Sequence, residues 1–184
     1  MTPDALHQFA VTFLGECVDA LNTIPILVPG QGLIGAPDRT FVSPGLPAWD
    51  CCEQMAVHAA PMSEADTTPS GLDAGRRSAR FARVNHPSFI ATVTRCVPTG
   101  ELSSAGIYTP PDAVDLTMSA RQINADGWAL WNHLFNSVYA GRLLTLCDEV
   151  FWDAIIPVVP AGGCAGWTVT MRASLPGYAE TLGT

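Results

Sequence analysis

Residues 49–61 read WDCCEQMAVHAAP, and this stretch decides the fold. From Cys51 to Ala60 the residues alternate in a way that predicts a β-strand with one apolar face. The apolar face holds Met55, Val57 and Ala59, and the other face holds Gln54 and His58. Because the same stretch carries two adjacent thiols, two carboxylates and an imidazole, it is also the first candidate for an active site.

A helix is predicted before this strand. Thr2-Pro3-Asp4 combines a capping hydroxyl, a proline in the first turn and an acid near the positive end of the helix dipole. An apolar stripe then recurs at spacings of three and four up to about Asn22, through Leu6, Phe9, Phe13, Cys17 and Leu21. Residues 24–45 are rich in Pro and Gly, and the proline in Ile24–Val28 favours an edge strand or an extended arm there.

Further strands are predicted on both sides of a second helix. Residues 62–78 are predicted to form a polar loop, and residues 81–98 the next strand or strands. Together with the strand at residues 51–60, they predict an antiparallel hairpin with an extended tip. At the end of the chain, residues 152–159 and 167–175 predict another strand pair, with a turn at residues 160–163.

The second helical region runs from Pro110 to about Cys147, with a break or kink expected near Asp126-Gly127. Its second half carries bulky side chains at helical spacing, and each aromatic ring can bury about 150–250 Å²: Trp128, Trp131, Leu134, Phe135, Val138 and Tyr139. The order of elements predicts an α+β fold, with a mostly antiparallel sheet covered on one face by the N-terminal helix and the long second helix. We expect a single domain over residues 1–184, with Pro/Gly-rich arms or loop insertions near 24–45 and 62–80.

Composition restricts the classes of function. The net charge is −8, and all nine cations are arginines, which argues against tight binding to nucleic acid phosphates. Charged residues make up 14% of the chain, against about a quarter in typical proteins, which favours a surface that is covered in an assembly. No apolar run approaches about 18 residues, so no membrane span is predicted. The scattered cysteines, with no signal peptide before them, predict reduced thiols in a cytosol.

The catalytic motifs in the sequence are weak. Gly30–Gly35 matches G-x-G-x-x-G, but no helix can be predicted after it to hold a pyrophosphate. His58 would lie about 20 Å along an extended strand from Cys51 and Cys52, too far to activate either thiol. The sequence also lacks the C-x-x-C and H-x-x-x-H spacings that are typical of a zinc site. We therefore predict no catalytic, cofactor-binding or metal-ligating residues, and no enzyme activity.

Three other groups of residues remain candidates. Cys96, on the second strand, is expected opposite Cys51 or Cys52, and a cross-strand bond between Cys52 and Cys96 is a hypothesis. The acids Asp148, Glu149 and Asp153 are either solvated, held by an arginine of a neighbouring subunit, or suited to acid/base chemistry. The one basic patch favours a protein partner over nucleic acid, and its residues are Arg76, Arg77, Arg80 and Arg83.

A resemblance to a known family rests on two of these segments. WDCCEQ at residues 49–54 leads into an apolar strand, and residues 89–98 end in Arg95-Cys96-Val97-Pro98 before a helix that contains alanine and tryptophan. This combination resembles neck proteins of tailed bacteriophages that infect actinobacteria, and the order of elements is most similar to the tail terminator. The absence of lysine is in keeping with the GC-rich genomes of such hosts.

The resemblance implies a structural protein of the virion. Tail terminators form a hexameric ring that caps the tail tube and joins it to the head, so the expected partners are further copies of this chain, the tail tube protein and the head-completion (stopper) protein. Genomic DNA would only pass through the lumen, no cofactor or membrane would be involved, and the ring would be assembled in the host cytoplasm. The arginines of the basic patch would then contact a neighbouring subunit.

Two alternatives remain open at the level of sequence. The first is a stopper or adaptor of the same connector, although the long helix at residues 110–147 weighs against the more β-rich stopper. The second, from another class, is a small cytosolic enzyme with a site around Cys51, Cys52 and the acids at 148–153. Loss of an activity in Cys52→Ser would favour the enzyme, and a six-fold ring in negative-stain images would favour the terminator.

Overall fold

The structure is a computed structural model that describes residues 3–47, 53–60 and 87–175. Its helices are α1 (Pro3–Asn22), α2 (Ile24–Leu27) and α3 (Ala113–Tyr139), with a 3₁₀ turn at Leu143–Thr145. Its strands are β1 (Arg39–Ser43), β2 (Gln54–Ala59), β3 (Ser88–Cys96), β4 (Glu101–Leu102), β5 (Tyr108–Thr109), β6 (Glu149–Ala161) and β7 (Cys164–Ser174).

Five strands form one sheet in the order β1-β2-β3-β7-β6, and β4 pairs with β5 in a separate two-stranded ribbon. Strand β1 runs parallel to β2, and the other three pairs in the sheet are antiparallel. The β2–β3 pair places Val57 opposite Ala91, and the β3–β7 pair places Ala91 opposite Val169. The predicted α+β fold with a mostly antiparallel sheet is therefore confirmed.

Both long helices pack on the same face of the sheet, as predicted. Helix α1 contacts β1, β2 and β3, while α3 contacts β3, β7 and β6, and the two helices also contact each other. The predicted inward positions are buried: Phe9, Phe13, Cys17, Leu21, Met55, Val57, Phe89, Ala91, Val93, Val169, Met171 and Ala173. Their burial is the main contribution to stability. The predicted outward positions of β2 and β3 are buried as well, so these two strands are covered on both faces: Gln54, His58, Thr92 and Thr94.

Helix α1 has the length and composition of a membrane span. Among the described residues, Ala5–Leu27 is the one stretch that passes such a test, with a mean hydropathy of 1.3 over the best window. A core helix passes the same test, and Phe9, Phe13 and Leu21 of α1 are fully buried against the sheet. Its place in the core therefore accounts for the buried stripe of α1, which is 33% of that window.

Some predicted elements are wrong in detail. Ile24–Leu27 is a helical turn and not an extended arm, because Pro25 lies near its N-terminus, where a proline is tolerated. Strand β1 was not predicted, and its parallel pairing with β2 makes the sheet mixed. The final turn is shorter than expected, since Gly162 and Gly163 alone connect β6 to β7, both with positive φ, as a tight hairpin requires.

The expected break in the second helix is also absent. Helix α3 is continuous through Asp126-Gly127 and ends at Tyr139, before the predicted limit at Cys147. Asp126 and Gly127 are weak helix formers, but both make tertiary contacts in this position. Those contacts form the first part of the candidate site.

Candidate functional site

A buried ion pair joins the middle of α3 to the sheet. Arg95 at the end of β3 is 2% exposed, and Asp126 of α3 is fully buried. The Nε of Arg95 donates to Oδ2 of Asp126 at 2.8 Å, and Nη2 donates to Oδ1 at 3.1 Å. The remaining guanidinium nitrogen of Arg95, Nη1, donates to Glu53 Oε2 at 3.2 Å. This bidentate geometry sets the position of α3 along β3.

Burial and the neighbouring charges have opposite effects on the pKa values of Arg95 and Asp126. Burial raises the pKa of the Asp126 carboxyl, while the hydrogen bonds from Arg95 and Gln122 oppose that rise. Burial works to lower the pKa of the Arg95 guanidinium, but the hydrogen bonds and charges of Asp126 and Glu53 more than offset it, so the pKa is raised. Arg95 is therefore a permanent buried cation, and it requires its carboxylate partner.

The glycine-rich loop is attached to the same pair. Gln122 donates from Nε2 to Asp126 Oδ1 at 2.8 Å and to the Ile34 carbonyl at 3.0 Å, and its Oε1 accepts from the Ile34 amide at 2.8 Å. Arg95 Nη2 also donates to the Gly35 carbonyl at 2.6 Å. The next element is strand β1, with no helix in between. The loop therefore connects α1 to the sheet and lacks the helix N-terminus that a dinucleotide site needs.

A second contact fixes the rotation of α3. The indole Nε1 of Trp167 on β7 donates to the Ile123 carbonyl at 2.6 Å, and the indole ring lies against the α-carbon of Gly127. Any side chain at position 127 would collide with that ring. Together with the ion pair, this contact decides which side of α3 faces the sheet and which side faces outward.

The outward side of α3 carries an exposed aromatic stripe. Trp128 is 68% exposed, Trp131 is 51% exposed and Phe135 is 43% exposed, at positions i, i+3 and i+7. Trp131 and Phe135 are stacked with centroids 6.2 Å apart. The expectation that these rings are buried is wrong, because Asp126, Leu130 and Leu134 occupy the inward side. The sequence contained the signal: two apolar stripes on one helix cannot both face one sheet.

A pocket of about 520 Å³ lies where β1 and β2 end. Described residues around it come from the first turns of α1 and from the ends of β1, β2 and β3, and they are almost entirely apolar: Leu6, Pro44, Gly45, Leu46, His58, Ala59, Ala60, Pro87 and Ile90. His58 is 3% exposed, and neither ring nitrogen has a hydrogen-bond partner. Burial lowers the pKa of this imidazole, so the ring is neutral at pH 7.

Two acids outside this network, Glu16 and Asp153, also have basic partners. His133 Nε2 lies 2.9 Å from Glu16 Oε2, which joins α3 to α1, and Arg142 Nη1 lies 3.5 Å from the same oxygen. Asp153 Oδ1 lies 3.6 Å from Arg172 Nη2 on the adjacent strand. Of the alternatives that the sequence left open for Asp153, the structure shows a half-exposed acid beside an arginine of the same chain.

Two of the described cysteines, Cys17 and Cys147, are poor nucleophiles. Cys17 is fully buried, and burial, with a smaller effect of Glu16, raises the pKa of its thiol. Burial and then Asp148 raise the pKa of Cys147 to about 11. Cys164 is disulfide-bonded, so the expectation of reduced cysteines is wrong for this residue, whereas Cys17 and Cys147 carry free thiols.

Several predicted positions fall outside the described residues. They are Cys51, Cys52, the insertion at 62–80 and the four arginines of the basic patch, Arg76, Arg77, Arg80 and Arg83. Cys96 is described and lies opposite Cys164 in the β3–β7 pair, while its bond to Cys52 stays a prediction. Across residues 3–47, 53–60 and 87–175, no group of three or more His, Cys, Asp or Glu side chains is arranged to hold a metal ion.

The chain matches no protein-family model, no curated protein and no solved structure. The arrangement of its own residues therefore carries the functional argument. The exposed aromatic stripe on α3 and the apolar pocket beside His58 are two features of the described surface that are suited to binding.

Proposed function

We propose that this protein is a structural subunit that assembles with copies of itself, as a ring in the head-to-tail neck of a tailed bacteriophage, most similar to the tail terminator. The observation that carries the proposal is the aromatic stripe on α3, in which two tryptophans are at least half exposed. Exposed tryptophans are rare on monomeric surfaces and are enriched at the centres of protein interfaces.

The size of this stripe is suited to the core of an interface. Three rings of about 150–250 Å² each, roughly half exposed, present on the order of 300–400 Å² of apolar surface. That is comparable with the largest patch on a typical monomer and about half of one side of a standard interface. The low charged fraction of the chain, 14%, is consistent with an extensive covered surface.

The chemistry of the described interior supports a structural role over an enzymatic one. Arg95, Asp126 and Gln122 hold α3 and the glycine-rich loop in place, and their hydrogen bonds are directed at each other, at Glu53 and at backbone. The described thiols of Cys17 and Cys147 have raised pKa values, which disfavours the thiolate. The partners proposed for the ring are the tail tube protein on one side and the head-completion protein on the other.

The test is the native mass of the purified chain over a wide concentration range, with negative-stain images of the largest species. We expect a closed ring, with six copies in the terminator case. Cys52→Ser serves as the control against the enzyme alternative, and it should assemble as the unmodified chain does. A chain that stays monomeric up to about millimolar concentration would contradict the proposal.

A further inference from the structure

The aromatic stripe and the His58 pocket lie on opposite sides of the domain. Helix α1 and the pocket-lining Leu6 belong to the side formed by β1 and β2, whereas α3 covers the side formed by β7 and β6. Trp131 is one helical turn after Gly127, whose α-carbon contacts Trp167 of β7. The stripe therefore lies on the β7–β6 flank of α3, away from the pocket.

Since the two features are separated by the width of the sheet, they cannot contact each other within one chain. We propose that the ridge formed by Trp128 and Trp131 of one copy inserts into the His58 pocket of the next copy, an inference that rests on the self-assembly proposed above. Such a contact joins two different surfaces, so it is heterologous and repeats from copy to copy. A heterologous contact produces a ring when its rotation closes.

The pocket has suitable dimensions and chemistry for this occupant. Its volume of about 520 Å³ is within the usual range for sites that enclose aromatic groups. Among the described residues that line it, none carries a fixed charge, and the proline and alanine side chains offer flat apolar walls. Leu46 at the rim is 84% exposed, so it is an apolar side chain without cover in the isolated chain.

The ridge supplies matching groups. Trp128 is the most exposed of the three rings in the stripe, and the stacking of Trp131 on Phe135 limits the rotamers of Trp131 before contact. A ring that is already ordered loses less conformational entropy on binding. The ridge of a second copy therefore matches the apolar chemistry of the pocket.

The experiment measures self-association by sedimentation of two single-substitution variants of the full chain. One is altered on the ridge and the other at the pocket. Trp128→Asp alters the ridge, and Leu46→Asp alters the rim of the pocket; both positions are exposed, so folding should be retained. The matched controls are Val114→Asp, with the same 68% exposure on the same helix, and Leu27→Asp, with 67% exposure in α2. We expect each surface variant to weaken self-association by at least about 30-fold, and the controls to associate like the unmodified chain.

Mixing the two surface variants gives the decisive result. The Leu46→Asp chain keeps an intact ridge and the Trp128→Asp chain keeps an intact pocket, so an equimolar mixture should form a heterodimer that grows no further. If Leu46→Asp assembles normally while Trp128→Asp does not, the ridge contacts another surface, and the inference is overturned although self-assembly stands. If the unmodified chain never associates, the proposed function fails together with the inference.

Discussion

The indole ring of Trp167 on β7 lies against the α-carbon of Gly127 in α3, and its Nε1 donates to the carbonyl of Ile123 one turn earlier. This contact requires a residue without a side chain at position 127, which explains a glycine in the middle of a 27-residue helix. The same contact turns Trp128 outward, so the packing of one ring on the sheet leads directly to the exposure of another.

Gly127→Ala should destabilise the protein by about 1–3 kcal/mol, because the new methyl group displaces the indole and disturbs its hydrogen bond. The matched control is Gly15→Ala in α1, where a Cβ meets no atom within 4 Å. That substitution should stabilise the protein by about 0.5–1 kcal/mol through helix propensity. Urea unfolding of both variants measures the difference, and equal effects would contradict the assigned role of Gly127.

Arg95→Met should cost about 3–5 kcal/mol, because it leaves the fully buried Asp126 without its cation. The double variant Arg95→Met/Asp126→Leu should lose less than the sum of the two single losses, since no charge is then left unpaired. Chemical unfolding of the four proteins in this cycle gives the coupling free energy. Additive losses would show that the pair is not a coupled unit.

Stability should decrease as the pH falls below about 6.5, in part because of His58. Burial lowers the pKa of His58 in the folded state below its ordinary value of 6.5, so the unfolded chain binds a proton first. The free energy of unfolding therefore falls between pH 6.5 and the folded pKa, and no such contribution exists at higher pH. His58→Leu should show a smaller fall from pH 7 to pH 5, and an unchanged pH dependence would exclude this role.

Thiol modification should distinguish the described cysteines. Cys96 is exposed, whereas Cys17 and Cys147 are buried with raised pKa values. A short treatment of the native protein with iodoacetamide at pH 8, followed by peptide mass spectrometry, should label Cys96 ahead of the other two. In the presence of denaturant all three should be labelled, which provides the control. A Cys96 that is labelled only after reductant is added would contradict this order of labelling and would instead support the bond between Cys52 and Cys96.

Much of the core could be predicted because it depends on local periodicity. Phe9, Phe13 and Cys17 recur at helical spacing, and Phe89, Ala91 and Val93 alternate along a strand, so each set has one face to bury. Strand β1 was missed because it is short and is stabilised by a parallel pairing with β2, which no local pattern encodes. The helical turn at Ile24–Leu27 was missed because proline is compatible with both an extended arm and the first turn of a helix.

The candidate site was less accessible to sequence reasoning. The partnership of Arg95 with Asp126 joins residues 31 positions apart, and nothing in their spacing indicates it. The sequence by itself determined the α+β class, the two long helices and the inward faces of β2, β3 and β7, because these follow from the period of apolar side chains. Only the tertiary structure decided which of the two apolar stripes of α3 is buried, because the Arg95–Asp126 pair and the Trp167–Gly127 contact fix the rotation of that helix.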